Sequence, residues 1–217
     1  GFDAPGRLMS EIVESESGHG PELATMAGFI LNRAAGSEVC ADLDDRERVE
    51  ACLKHCSDRL LGTLPGYDFE SGLAKQTRRA IEVFEGRKRT SPNATLRNLG
   101  IALALEIISH RHLIPGEKLC LVDSGLYGAT FDDPEMHYLV EHFGDQGAEE
   151  HHERNVVDAV ESVLEPSTEP HVVEGIDEFL EALTALWDLL DTALLGSGEP
   201  ADEPVKGRVD ASIRTGA

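Results

Sequence analysis

The chain has 217 residues, of which 41 are Asp or Glu and 19 are Lys or Arg, so its formal net charge is −22. A nucleic-acid-binding protein needs a basic surface that displaces counterions from phosphates, and an anionic membrane surface repels a chain of this charge. The composition therefore argues against both kinds of partner. Because 41 % of the residues are apolar, the chain has enough hydrophobic side chains to fold around a core.

Apolar residues recur every three to four positions along most of the chain, and no alternating strand pattern of useful length occurs. The pattern predicts seven helices, over 5–19, 21–35, 43–61, 71–85, 95–113, 133–165 and 176–195. Pro115 and Gly116 are expected to end the fifth helix. Because no run of 18 apolar residues occurs, we expect no transmembrane helix. The prediction is one all-α domain, a seven-helix bundle over 1–195, followed by a disordered tail over 196–217.

The four cysteines show no CxxC spacing. Cys52 and Cys56 are one helical turn apart, and we interpret them as small buried hydrophobic side chains. No basic segment followed by an apolar one indicates a signal peptide near the first residue. The expected location is therefore the reducing cytoplasm.

Ionisable side chains interrupt the apolar stripes of three predicted helices. In the fifth helix, Glu106 stands between Leu105 and Ile107 in a stretch that is apolar all round, so we expect it to be buried. An unpaired buried carboxylate costs several kcal/mol, so Glu106 needs a cation or a proton.

Each of these three helices carries a Glu with a His three or four residues later. This spacing places both side chains on one helical face, as a shared metal ion requires. Mixed carboxylate and imidazole ligands suit non-haem iron or manganese better than structural zinc. Two alternatives stay open: each histidine as a hydrogen-bonded core residue, and the run 149–153 as a solvated charged turn. The pairs are Glu16 with His19, Glu106 with His110, and Glu149 with His152.

At these residues the chain resembles the haem-oxygenase-like di-iron oxidases and oxygenases, a family of iron-containing redox enzymes. The resemblance covers about Leu8 to Leu195. It is carried by Glu16-Ser-Gly-His19, by Ala104-Leu-Glu106, and by His142-Phe-Gly-Asp145 with Gly147-Ala-Glu-Glu-His-His152. It implies a seven-helix haem-oxygenase-like bundle. The implied metal ligands are Glu16, His19, Glu106, Glu149 and His152, and the additional candidates are His142, Asp145, Glu141 and His110.

The resemblance also implies chemistry with O2. Two iron ions per chain, with O2 as co-substrate and an unidentified electron donor, are expected to oxidise a small organic molecule such as an amino acid or a fatty acid. The substrate, the number of metal ions and a homodimeric state are left open. Two other hypotheses compete: a protein of the same fold that binds haem through His19 or another small molecule without an iron pair, and a non-catalytic helical partner protein.

Overall fold

The computed structural model describes residues 3–16, 18–84, 92–143 and 148–196, with the backbone alone at 92, 148 and 149. Within these ranges the β pairing is confined to one isolated bridge between Asp68 and Leu73, so the predicted all-α class is confirmed. The described helices also include none with the length and apolarity to cross a bilayer. Apart from Gly196, the predicted tail lies outside the described residues. The α-helices are α1 (Asp3–Glu16), α2 (His19–Ala35), α3 (Arg46–Leu61), α4 (Lys75–Phe84), α5 (Pro92–Ile108), α6 (Ile114–Glu117), α7 (His137–Phe143), α8 (Ala148–Glu161) and α9 (Glu169–Leu195).

Residues at the N-termini of α3 and α9 explain why these helices begin at other positions than predicted. Helix α3 begins at Arg46 rather than at 43, because the carboxylate of the extended residue Asp45 accepts a hydrogen bond from the backbone N–H of Arg48 at 3.3 Å. Helix α9 begins at Glu169 rather than at 176, and Pro170 occupies its first turn, where a proline needs no hydrogen-bond donor.

The helix that begins with α5 continues to Asp123, so the prediction that Pro115 and Gly116 end it is wrong. A π-helical turn over Ser109–Leu113 precedes α6, and a second one over Lys118–Asp123 follows it. In the first π turn the N–H of Ile114 donates to the carbonyl of Ser109, five residues back. This wider spacing changes the register of the hydrogen bonds before Pro115, so the helix passes through a residue that lacks an N–H.

Helices α5 and α9 cross with their backbones in contact. A Cβ on Gly100 would lie 2.0 Å from the carbonyl oxygen of Val172, and a Cβ on Gly175 would lie 2.0 Å from that of Arg97. Only glycine permits this approach from both sides. Helix α8 packs on both α1 and α5.

Candidate metal centre

Five helices bring carboxylates and histidines together near the end of α1. Helix α1 ends at Glu16, α2 begins at His19, and α5, α7 and α8 supply the other side chains. Two further predicted ligands, Asp145 and the side chain of Glu149, lie outside the described residues. We call the following six residues the Glu/His cluster: Glu16, His19, Glu106, Glu141, His142 and His152.

The carboxylate of Glu16 lies at the centre of the Glu/His cluster. Its Oε2 is 2.7 Å from Nδ1 of His19, while its Oε1 is 3.2 Å from Nδ1 of His152 and 3.8 Å from Nε2 of His142. Burial raises the pKa of Glu16, but hydrogen bonds to His142 and His19 and the nearby positive charge outweigh it and lower the pKa to about 2. The carboxylate is therefore ionised, and its two oxygens face different histidines.

The hydroxyl of Ser15 orients the ring of His152. It lies 2.7 Å from Nε2 of His152 and also donates to the carbonyl of Ile12 at 2.9 Å, so we assign the proton of the neutral ring to Nε2. Burial lowers the pKa of His152, although Glu16 opposes this, so the neutral ring is favoured. In that ring the lone pair is on Nδ1, which is buried without a hydrogen-bond partner among the described residues. It lies 3.8 Å from Oε2 of Glu106.

Nδ1 of His152 lies between two carboxylates, 3.2 Å from Oε1 of Glu16 and 3.8 Å from Oε2 of Glu106. When two atoms bind the same ion at about 2.1 Å each, they lie at most about 4.2 Å apart, so each of these two pairs meets the condition. The three residues together are not one of the described groups whose ligand atoms all lie within 4.8 Å of one another. The predicted burial of Glu106 is confirmed, since 7 % of its surface is exposed. Each pair with His152 therefore fits a cation bound by two of these residues, not by all three.

A second group of donor atoms lies on the other side of the Glu16 carboxylate. Nε2 of His19 is 3.4 Å from Oε2 of Glu141. Two groups of three residues each offer ligand atoms, one per residue, that lie within 4.8 Å of one another. The first group is His19, Glu22 and Glu141, and the second is Glu16, His19 and His142. Among the described residues, these two groups are the ones of three or more that a metal ion could join, and they share His19.

Sequence reasoning missed three residues that complete this site. Glu22 follows His19 by three residues, and His137 precedes Glu141 by four, with 3.1 Å between its Nε2 and Oε1 of Glu141. In both pairs the histidine comes first, so a search for a Glu followed by a His passed over them, and the same spacing applied in either order would have selected both. Nothing in the sequence marks Ser15, because its role depends on a histidine 137 positions away.

The side chain of His110 does not join the Glu/His cluster, contrary to the prediction. His110 follows Glu106 by one helical turn, but its side chain is held by a partner on α8. Its Nδ1 instead lies 2.6 Å from Oε2 of Glu153, and the guanidinium of Arg111 binds the same carboxylate. We call His110, Arg111 and Glu153 the Glu153 group.

A pocket of about 570 Å³ opens beside the Glu/His cluster, and Glu16, Glu106 and His142 form part of its lining. Most of the remaining wall is apolar and comes from α1, α4 and α5, with Ile101 and Leu105 on one face of α5. This volume is typical of a site for a small organic molecule. Donor atoms and an apolar binding space therefore share a boundary.

The chain matches no protein-family model, no curated protein and no solved structure. The resemblance to the haem-oxygenase-like di-iron enzymes therefore stays a prediction from short motifs. The evidence that bears on function lies in the donor atoms of the Glu/His cluster and in the pocket beside them.

Proposed function

We propose that the Glu/His cluster holds iron and that this protein is a non-haem iron-dependent oxidase or oxygenase of a small organic substrate. The observation that carries the proposal is the group of Glu16, His19 and His142, whose ligand atoms lie within 4.8 Å of one another. An ion bound at that point would neutralise the ionised carboxylate of Glu16. A mixture of carboxylates and imidazoles suits iron or manganese.

The position of Glu16 suits a carboxylate shared by two ions. Its Oε1 faces His152 and His142, and its Oε2 faces His19. One ion would use Glu16 with His19 and His142, and Glu141 lies near the second nitrogen of His19. A second would use Glu16 with His152. Two ions per chain in a haem-oxygenase-like bundle are part of the proposal.

When bound, ferrous iron supplies the capacity to bind and reduce O2. The other tasks fall to this chain's own residues. Ser15 holds the ring of His152 with Nδ1 toward the carboxylates. The carbonyl of Tyr138 accepts a hydrogen bond from Nδ1 of His142 at 2.6 Å, which turns Nε2 of that ring toward Glu16.

The pocket provides the place for the substrate. Its largely apolar walls would hold the apolar part of a small molecule against the Glu/His cluster. An amino acid or a fatty acid, the substrate classes that the family resemblance implies, is the first choice for testing.

The contacts of His19 disfavour the alternative of a haem protein. Its Nδ1 is 2.7 Å from Glu16, its Nε2 is 3.4 Å from Glu141, and its ring centroid is 4.4 Å from that of His142. An axial ligand needs one ring nitrogen directed at an open space wide enough for a porphyrin, and both nitrogens of His19 face carboxylates.

The test is anaerobic loading with ferrous iron, followed by elemental analysis and by O2-uptake measurements with amino acids and fatty acids as the substrate panel. We expect between one and two iron ions per chain and substrate-dependent O2 uptake. A chain that retains no iron after loading overturns the proposal. A Soret band on titration with haem, without iron binding, supports the haem alternative instead.

A substitution in the pocket lining tests the role of the pocket independently of metal binding. Ala102 lines the pocket and supplies no ligand, so Ala102→Phe fills part of the binding space. We expect its iron content to match that of the wild type and its KM for the substrate to rise. An unchanged KM contradicts the assignment of this pocket to the substrate.

A further inference from the structure

Three of the four cysteines are gathered where the loop after α2 meets α3. Cys40 lies in that loop, while Cys52 and Cys56 lie on α3. Each of the three is a free thiol. They belong neither to the Glu/His cluster nor to the lining of its pocket.

The position of Cys40 is held by the side chain of Asn32. The Asn32 amide accepts a hydrogen bond from the backbone N–H of Cys40 at 2.7 Å and donates one to its carbonyl at 2.8 Å. The Cys40 side chain is buried and packs against Gly28 of α2. A Cβ built on Gly28 would lie 3.1 Å from Sγ of Cys40 and 3.5 Å from the side chain of Val49 on α3. The Cys40 thiol is therefore fixed at the junction of α2 and α3.

The thiol of Cys52 reaches this junction from α3. It donates to the carbonyl of Val39 at an S···O distance of 3.6 Å, and Val39 is the residue directly before Cys40. The thiol also interacts with the thiols of both Cys40 and Cys56. Cys52 therefore has two neighbours with which it could form a bond.

Geometry selects Cys40 as the partner. Side chains four residues apart on a helix have Cβ atoms about 5–6 Å apart, whereas a disulfide needs about 3.5–4.5 Å. A bond between Cys52 and Cys56 would therefore distort α3. Cys40 lies in a loop and Cys52 on α3, so the fixed separation of two residues on one helix does not apply to this pair. The three thiols also do not surround one point as a metal site requires, since they form no group of described ligand atoms within 4.8 Å of one another.

We propose that Cys40 and Cys52 form a reversible disulfide that ties the loop after α2 to α3. In exchange with a small-molecule disulfide such as oxidised glutathione, the Cys52 thiolate attacks one sulfur and releases one glutathione. The Cys40 thiolate then attacks the mixed disulfide and releases the second. The two cysteines lose two electrons and two protons, and oxidised glutathione gains them as two thiols. Cys56 stays a thiol.

The thiols are unreactive at rest. Burial raises the pKa of Cys52 and that of Cys56, so few thiolates are present near neutral pH. The exchange is therefore slow and needs an excess of oxidant. Once formed, the bond closes a short loop, and we expect the Tm to rise by roughly 5–10 °C.

The test uses the full chain, equilibrated in glutathione buffers from fully reduced to fully oxidised. Remaining thiols are blocked with iodoacetamide before a non-reducing tryptic digest. Cleavage after lysine and arginine places each cysteine in its own peptide, with Cys40 in 34–46, Cys52 in 49–54 and Cys56 in 55–59. We expect a cross-link between 34–46 and 49–54, and alkylation of two cysteines instead of four.

The variants test the pairing. Cys52→Ser abolishes the cross-link and the rise in Tm, and it avoids substitution of the buried Cys40. Cys56→Ser and the matched control Cys120→Ser retain both. A cross-link between 49–54 and 55–59, glutathione adducts alone, or no cross-link in fully oxidising buffer overturns the proposal. So does protection of all three thiols by zinc, which would indicate a metal site.

Discussion

Two groups in this protein combine glutamate with histidine, and they differ in the source of positive charge. In the Glu153 group, the carboxylate binds His110 at 2.6 Å and also the guanidinium of Arg111. The hydrogen bond from Arg111 lowers the pKa of Glu153, with burial opposing it. In the Glu/His cluster, every described ion-pair partner of Glu16 is a histidine.

This difference in the source of positive charge makes the Glu153 group a structural ion pair and the Glu/His cluster a candidate metal site. Arginine is charged at all ordinary pH values, so the Glu153 group is neutralised without a bound ion. Imidazoles titrate near neutral pH, so the charge that balances Glu16 depends on the protonation of its histidines or on a bound metal ion. The histidines differ in burial in the same direction, since the side chain of His110 is 36 % exposed and that of His152 is 4 % exposed, whereas the carboxylates differ in the opposite direction, with Glu153 at 14 % and Glu16 at 38 %.

The strongest test of this comparison is the loss of one carboxylate from each group. Glu16→Gln removes the charge at the centre of the Glu/His cluster, and we expect iron affinity to fall by more than about 100-fold, beyond the effect typical of an outer partner. Glu153→Gln is the matched control and should retain wild-type iron content. Elemental analysis after anaerobic loading measures both. Equal losses in the two variants would show that the two groups do not differ as proposed.

A smaller effect is expected from the residue that orients His152. Ser15→Ala removes the hydrogen bond at Nε2, so the ring loses both its fixed tautomer and its orientation. We expect iron affinity to fall by about 10- to 100-fold. Titration with ferrous iron gives the affinity, and Ser10→Ala on the same helix is the control, because its hydroxyl donates to the carbonyl of Gly6. Wild-type affinity in Ser15→Ala would contradict the assigned tautomer.

The metal-free protein should lose stability in mild acid. Burial lowers the pKa of folded His152 below the unfolded value of about 6.5. Between these two values the unfolded chain binds a proton that the folded chain does not, so the free energy of unfolding rises with pH in this window, and His152 adds no further slope at lower pH. His152→Gln should flatten the curve of Tm against pH just below 6.5, measured with a chelator present. An unaltered slope in His152→Gln would refute the assignment.

The smallest effect concerns the stability that the Glu153 group supplies. The folded pKa of Glu153 is lowered, so its contribution is present above the unfolded value near 4.5 and is lost as the pH falls through the folded value. Because Arg111 is 59 % exposed, we expect Glu153→Gln to lower the free energy of unfolding by about 0.5–1 kcal/mol at pH 7. Urea unfolding at pH 7 and at pH 3 measures this. A difference that persists unchanged at pH 3 would rule out the ion pair as its source.

Local periodicity was enough to predict the helical class and the burial of Glu106, because both depend on the angular spacing of neighbours along one helix. The pairing of Glu16 with His19 was also accessible, since three residues separate them. The partner of His110 was not accessible in this way, because Glu153 lies on another helix, 43 residues further along the chain.

The spacing of apolar residues is enough to expect carboxylates and histidines on apolar helical faces in an acidic, all-helical chain. Which faces meet depends on how the helices pack. The packing of α8 on α1 brings His152 to Glu16, and a serine on α1 then orients that ring. The same holds for Cys40 and Cys52, which come together because α2 and α3 pack. The spacing of residues along a helix shows on which face of that helix a side chain lies. A site also depends on how far apart the helices are, and that distance is set by their packing.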